Sequence, residues 1–177
     1  DITKFTADAI RGKSPPLAPG QVRIVPFLEH RFYSDTFVKT EFVPMMAKMQ
    51  GREDPVLIEI SSGVYDLDML VSAVNDPALL EKTPQAYVFN VPLVVQPGGG
   101  FVISKPGAVL HLNAETGAFL ANFGKMTILD AEVTGWRPSQ NAPAVFEKKD
   151  TFRPYLIFWS NSVSYLGNTK FSNLGYD

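Results

Sequence analysis

At 177 residues, with 45% apolar and 19% charged side chains, the chain can build one globular core and is too apolar to be disordered. A formal charge of −2 excludes a strongly basic nucleic-acid binder, and the absence of cysteine excludes disulfide scaffolds, thiolate metal sites and cysteine nucleophiles. No apolar run approaches the roughly 20 residues of a membrane-spanning helix, and a start at Asp1 without Met is that expected of a processed or excised piece.

In chain order, Asp1 to Arg11 predicts a short amphipathic helix with Ile2, Phe5, Ala9 and Ile10 on one side, stopped by Gly12 and Ser14-Pro15-Pro16. Gln21–Leu28 reads as a strand in which Val22, Ile24 and Pro26 alternate with Arg23 and Val25. His30-Arg31-Phe32-Tyr33 follows without a pattern. Phe42–Met49 is a loop or a helical turn whose Met45, Met46 and Met49 plug a gap in packing. Val56–Ile60 is a strand bounded by Asp54-Pro55 and Ser61-Ser62-Gly63. Asp66 is placed to cap a helix carrying Leu67, Leu70, Val71 and Val74 at i, i+3, i+4 and i+7, which ends near Asn75-Asp76-Pro77. A helix across the end of a stack of short strands covers apolar surface and unpaired edges, so residues 1–85 read as an α/β capping region.

From Ala86 the pattern turns to short strands: Tyr87-Val88-Phe89, Leu93-Val94-Val95, Phe101-Val102-Ile103 and Val109–Leu112. The run Gly98-Gly99-Gly100 lacks the Lys-Ser/Thr and helix of a phosphate loop and reads as a corner. Gly117–Trp136 and Phe152–Tyr176 each carry three short apolar pieces between corners of Asn, Gly or Asp. A shift of 25 lays Leu93–Val95 on Ala118–Leu120 and Phe101–Ile103 on Met126–Ile128; a shift of 37 lays Met126 on Val163 and Ile128 on Tyr165. The surplus fits a polar loop at about 137–154. Such a period with insertions at one corner predicts an all-β solenoid over 86–177; unrelated hairpins are the alternative.

Longer motifs resemble a known family. Glu115–Asn122 with Gly124-Lys125, Phe152–Leu156 leading to Trp159, and Leu174-Gly175-Tyr176 are similar to repeats of the periplasmic mannuronan C-5-epimerases. Ile58–Leu67 and Val91–Val95 resemble that family's entry segment, so the resemblance covers Val56 to Asp177. It implies a right-handed parallel β-helix in the periplasm and an anionic polysaccharide, polymannuronate or alginate, as substrate. Inversion at carbon 5 needs a base on one face of the sugar, an acid on the other, and a cation to neutralise the adjacent carboxylate. The family's Asp-Pro-His-Asp motif is absent: neither Asp54-Pro55 nor Asp76-Pro77 is followed by His. The chain therefore reads as the N-terminal cap and first coils of an epimerase whose catalytic centre lies beyond it, ending on an open coil at Phe171 and Leu174. The alternative is a non-catalytic polysaccharide-binding or scaffold module working beside exopolysaccharide export proteins; a lyase on the same fold is a third.

No catalytic residue, metal or other cofactor is assigned. Arg153, Tyr155, Trp159, Tyr165 and Lys170, with Lys148 and Lys149, are candidates to extend a groove for a polyanionic sugar, with cations for carboxylates and aromatic faces for rings; the alternative makes Lys148-Lys149-Asp150 a solvated loop and Trp159 and Tyr165 core. His111, between Leu110 and Leu112, points outward from its strand, and two distant histidines make no zinc motif. Asn122 and Asn168 are corner residues.

Overall fold

The computed structural model describes residues 6–29, 41–159 and 161–175. Ile2, Phe5, His30–Tyr33 and Tyr176 lie outside them. An N-terminal helix α1 (Ala7–Arg11), capped by the Thr6 hydroxyl and closed at Gly12, is followed by strand β1 (Ala18–Pro26). Helix α2 (Phe42–Gln50) resolves the Phe42–Met49 alternatives in favour of helix and stops at Gly51, whose φ of 62° suits a residue without Cβ. The Gln50 side-chain amide then pairs with both backbone groups of Val56, tying α2 to the start of strand β2 (Val56–Tyr65). Helix α3 (Leu67–Val74) has the expected bounds: Asp66 accepts a hydrogen bond from Met69 N at 2.8 Å, and Asn75 closes the helix at φ 48°.

Twelve further strands follow: β3 (Leu80–Lys82), β4 (Tyr87–Phe89), β5 (Leu93–Val95), β6 (Gly99–Ile103), β7 (Ala108–Asn113), β8 (Leu120–Asn122), β9 (Lys125–Leu129), β10 (Ala131–Arg137), β11 (Ala142–Pro143), β12 (Leu156–Phe158), β13 (Val163–Gly167) and β14 (Lys170–Ser172). They stack in three parallel ladders. On face 1, β2, β5, β8 and β12 pair; on face 2, β2, β6, β9 and β13; on face 3, β4, β7, β10 and β14. The chain thus visits the three faces in order and returns to each. β2 serves two faces because it bends at Gly63, where φ is 82°. Strand structure therefore continues through Ser61-Ser62-Gly63 instead of stopping there, and the parallel ladders begin at Ile58 on face 1 and Gly63 on face 2, upstream of Ala86.

Registers differ from the sequence shifts on two faces. β6 and β9 pair at the expected 25, but Leu93 pairs with Leu120, a shift of 27, and Met126 pairs with Ser164, a shift of 38. The physical reason is that corners vary in length from turn to turn, so no single offset serves all three faces. A one-residue slip would turn every inward side chain outward. In the observed register Leu120 stacks on Leu156, Ile128 on Leu166 and Val133 on Phe171.

The interior is filled by rows such as Ile58–Leu93–Leu120 and Tyr87–Leu110–Val133, all buried. Asn122 is also fully buried. It does not adopt the left-handed corner conformation that Asn168 does (φ 47°); its amide donates to Ser164 Oγ at 2.8 Å and its oxygen accepts from Gly124 N at 3.0 Å. β1 pairs antiparallel with β2, and its alternation departs from expectation: Val25 is buried and Ile24 is 41% exposed, because Val25 and Phe27 enter a second core under α2.

Candidate functional site

Each ladder has an outward side, and two of the three are covered. On face 1 the outward Leu57, Val94 and Ala121 pack with Phe27, Val43 and Met46, so α2 seals it. On face 2 the outward Val102, Thr127 and Leu129 are buried. Part of their cover comes from the N-terminal segment: α1 lies against β13, Arg11 forms a 2.6 Å ion pair with Asp130, and the Lys13 ammonium lies 5.7 Å from the Tyr165 ring centre.

Face 3 is different. Among the described residues, β7, β10 and β14 contact chiefly one another, β4 and β11. Its outward positions form rows across the ladder: Val109, Glu132 and Lys170 in one, and Val88, His111, Thr134 and Ser172 in the next. Trp136 lies one step further along β10 and stacks on the His111 ring at 3.9 Å and 10°. The Thr134 and Ser172 hydroxyls hydrogen-bond each other, and Lys170 Nζ donates to Glu132 Oε1 at 3.0 Å. Beside these rows an open hollow of about 710 Å³ runs along the corner from Pro106 through Asp130 to Thr169 and Lys170. The insertion after β10 borders the other edge, where Ser139 binds Glu115 and β11 pairs with Trp136 and Arg137.

The hollow carries Asp130 and Glu132 with Lys170, so a ligand carboxylate reaches the ammonium only by exchange with Glu132. Lys170 keeps 69% of its side chain exposed, and such an exposed pair contributes about 0–1 kcal/mol, so replacing Glu132 by a ligand carboxylate costs little. Burial pushes the His111 imidazole below its ordinary value, against the opposing pull of Glu132, which leaves it neutral at pH 7. The imidazole, the Ser172 hydroxyl, the indole and the exposed ammonium suit hydroxyl- and carboxylate-bearing sugars, while Thr134, 3% exposed, serves to hold Ser172. No group of three or more metal-ligating side chains occurs among the described residues.

The five candidates named from sequence are dispersed. Lys170 is on face 3, in the hollow. Tyr165 is on face 2 under Lys13. Tyr155 stacks on Phe119 at 4.6 Å, and Trp159, 40% exposed, tilts against Phe123 at 5.8 Å. Arg153 places its guanidinium 5.4 Å from the Phe146 ring centre, which Arg137 also approaches at 5.6 Å. Lys148 and Lys149 are exposed on the insertion, Lys149 paired with Glu147. Sequence reading passed over Glu132, Thr134 and Trp136. The available signal was their alternation with Ala131, Val133 and Gly135, which assigns them to the outward side of one strand.

No protein-family model matches the chain. Curated relatives do. A mannuronan C5-epimerase of Pseudomonas putida is 35% identical over 181 residues, covering 99% of this chain and 34% of the relative. One of Pseudomonas aeruginosa is 31% identical over 177 residues, covering 100% of this chain and 32% of the relative. The crystal structure of the periplasmic alginate epimerase AlgG superposes with a TM-score of 0.89 at 28% identity, over 99% of this chain and 41% of that one. The chain therefore spans about a third of the length of the relatives it matches.

Proposed function

We propose, on the premise that this chain is an AlgG-like portion similar over nearly its whole length to mannuronan C5-epimerases, that it forms the first turns of a right-handed parallel β-helix in a periplasmic enzyme. That enzyme inverts carbon 5 of mannuronate residues in alginate, and face 3 of these turns holds the polymer. The observation that carries the reading is that, among the described residues, face 3 is the outward side that α2 and the N-terminal segment leave uncovered, and that it presents polar and aromatic side chains in register from turn to turn. A polymer of repeating sugars matches a surface of repeating rows. On this reading residues 1–85 supply the cap, with β1 and α3 closing the first turn, and also the first rung of faces 1 and 2 in β2.

The chemistry places a limit on what these turns do. Inversion needs proton removal on one side of the sugar ring and proton return on the other. His111, Glu132 and Lys170 all approach a ring laid on face 3 from the same side. The Asp-Pro-His-Asp motif is absent from the sequence. We therefore place the base and acid on turns outside this chain and give these turns a substrate-holding role, with Lys170 neutralising a carboxylate.

Proton NMR of polymannuronate incubated with the chain in deuterium oxide tests this. We expect no deuterium at carbon 5, together with polymer line broadening that is relieved by Lys170→Gln. Deuterium incorporation would mean that a working base lies within these residues and would overturn the division of roles. Sharp, unchanged polymer lines would remove the holding role.

A further inference from the structure

A second hollow lies away from face 3, on the outer side of face 2. It encloses about 190 Å³ between the N-terminal segment and the third and fourth turns, and its wall includes Lys13, Pro15, Lys125, Thr127, Val163 and Tyr165. Two lysines, Lys13 and Lys125, line this wall and no carboxylate does. Lys82 and Lys105 also line one hollow without a carboxylate, but there Lys82 is held by Asp68 at 2.6 Å, as Lys170 is held by Glu132 at 3.0 Å. Lys125 has no anionic partner among the described residues, and Lys13 has only the Tyr165 ring, 5.7 Å from its nitrogen. Two like charges lining one small hollow repel each other, and an anion between them converts that repulsion into two charge-assisted contacts.

We propose that this hollow is an anion subsite that takes the carboxylate of a single uronate sugar, separate from the polymer-holding face. The volume admits one sugar ring and not a longer chain, being below the range of pockets that enclose drug-sized ligands. The ammonium groups of Lys13 and Lys125 receive the carboxylate, and the Val163 and Tyr165 side chains give the ring an apolar wall. The choice of a uronate rests on the polymer reading; the two-lysine anion site does not. Because Lys13 comes from the N-terminal segment, Lys125 from β9 and Tyr165 from β13, an occupied site also pins that segment to the turns it crosses.

Amide NMR titrations of the whole chain with sodium D-glucuronate, sodium acetate and D-glucose test the assignment. Glucuronate is expected to shift the Lys125, Thr127 and Tyr165 amides saturably, and Lys13→Gln with Lys125→Gln to weaken binding about tenfold or more. The pair Lys13→Arg and Lys125→Arg keeps the charges and is expected to retain binding, which separates lost charge from lost fold. Glucose is expected to leave these amides unmoved. No shift with glucuronate, a shift the double Gln variant leaves unchanged, or equal affinity for acetate would each overturn the subsite as stated. Oligomannuronate, too long for this hollow, tests the face 3 reading apart from it: shifts at Trp136 uphold that reading and their absence removes it, while monomeric glucuronate alone decides the subsite.

Discussion

Glu59 is only 2% exposed, in the first turn, yet it is held as a carboxylate. Burial alone would raise its pKa. Hydrogen bonds from Ser61 Oγ at 2.6 Å, Arg23 Nη2 at 2.5 Å and Gln96 Nε2 at 2.9 Å outweigh burial and bring it below the ordinary value. A lowered folded-state pKa gives stability that is present above the unfolded value, near 4.3, and lost as pH falls through the folded value. Arg23→Ala should therefore cost about 1–3 kcal/mol at pH 7, through a buried acid left short of donors, and less at pH 3, closer to the point where the parent's Glu59 takes up its proton. Urea unfolding at the two pH values checks it; a pH-independent cost would contradict the ion pair's role. His111 gives a second expectation. Its imidazole is half-buried against Trp136, so its titration by NMR should have a midpoint below the ordinary 6.5, and Trp136→Ala should move that midpoint upward by returning water to the ring.

Elements hold their places through a few close fits. Met46 is fully buried on α2, and a Cβ placed on Gly117 would collide with its terminal methyl, so the helix sits directly against the chain leading into β8. Met46→Ala should cost about 2–5 kcal/mol and lower the unfolding temperature accordingly; near-neutral behaviour would show that α2 does not seal face 1. The corner between faces 1 and 2 is tighter still. A Cβ on Gly124 would run into the backbone oxygens of Gln96 and Gly99 in the turn below, and backbone cannot swing aside. Gly124→Ala should cost about 3 kcal/mol by forcing the third turn off the second, measured by chemical unfolding, whereas Gly107→Ala at an open corner should be limited to the strain of its φ of 75°.

At the scale of the whole molecule, the stacking that buries Leu120 and Ile128 leaves the fourth turn with no further strand on its far side among the described residues. Phe158, Leu166 and Phe171 are inward-facing by register and yet 42%, 39% and 39% exposed, around an apolar hollow of about 290 Å³ that also includes Leu156 and Leu174. Exposed apolar surface bounded by three unpaired strand edges promotes association. The 177-residue chain should self-associate as its concentration rises, and Leu166→Lys with Phe171→Lys should hold it monomeric. Sedimentation at several concentrations decides this, and concentration-independent monomers of the parent chain would contradict it.

Much of this architecture was legible in the chain itself. Asp66, Leu67, Leu70 and Asn75 determine α3 because a cap, an i, i+3 apolar pair and a left-handed stop act within one stretch. The short strands from Tyr87 onward and the outward direction of His111 are likewise local consequences of two-residue alternation, whereas Gly99 and Gly100, expected at a corner, are the first residues of β6. The register was not legible. Corner lengths differ between turns, and the choice between a shift of 25 and 27, or 37 and 38, is made by which apolar rows can close over one another in three dimensions. The site was not legible either, because all three ladders offer outward side chains of mixed character. What singles out Glu132, Trp136 and Lys170 is that α2 covers one neighbouring face and the N-terminal segment crosses the other, contacts between residues more than a hundred positions apart, such as Arg11 and Asp130. Local sequence specifies each strand and its two sides; only the packed molecule decides which side meets water.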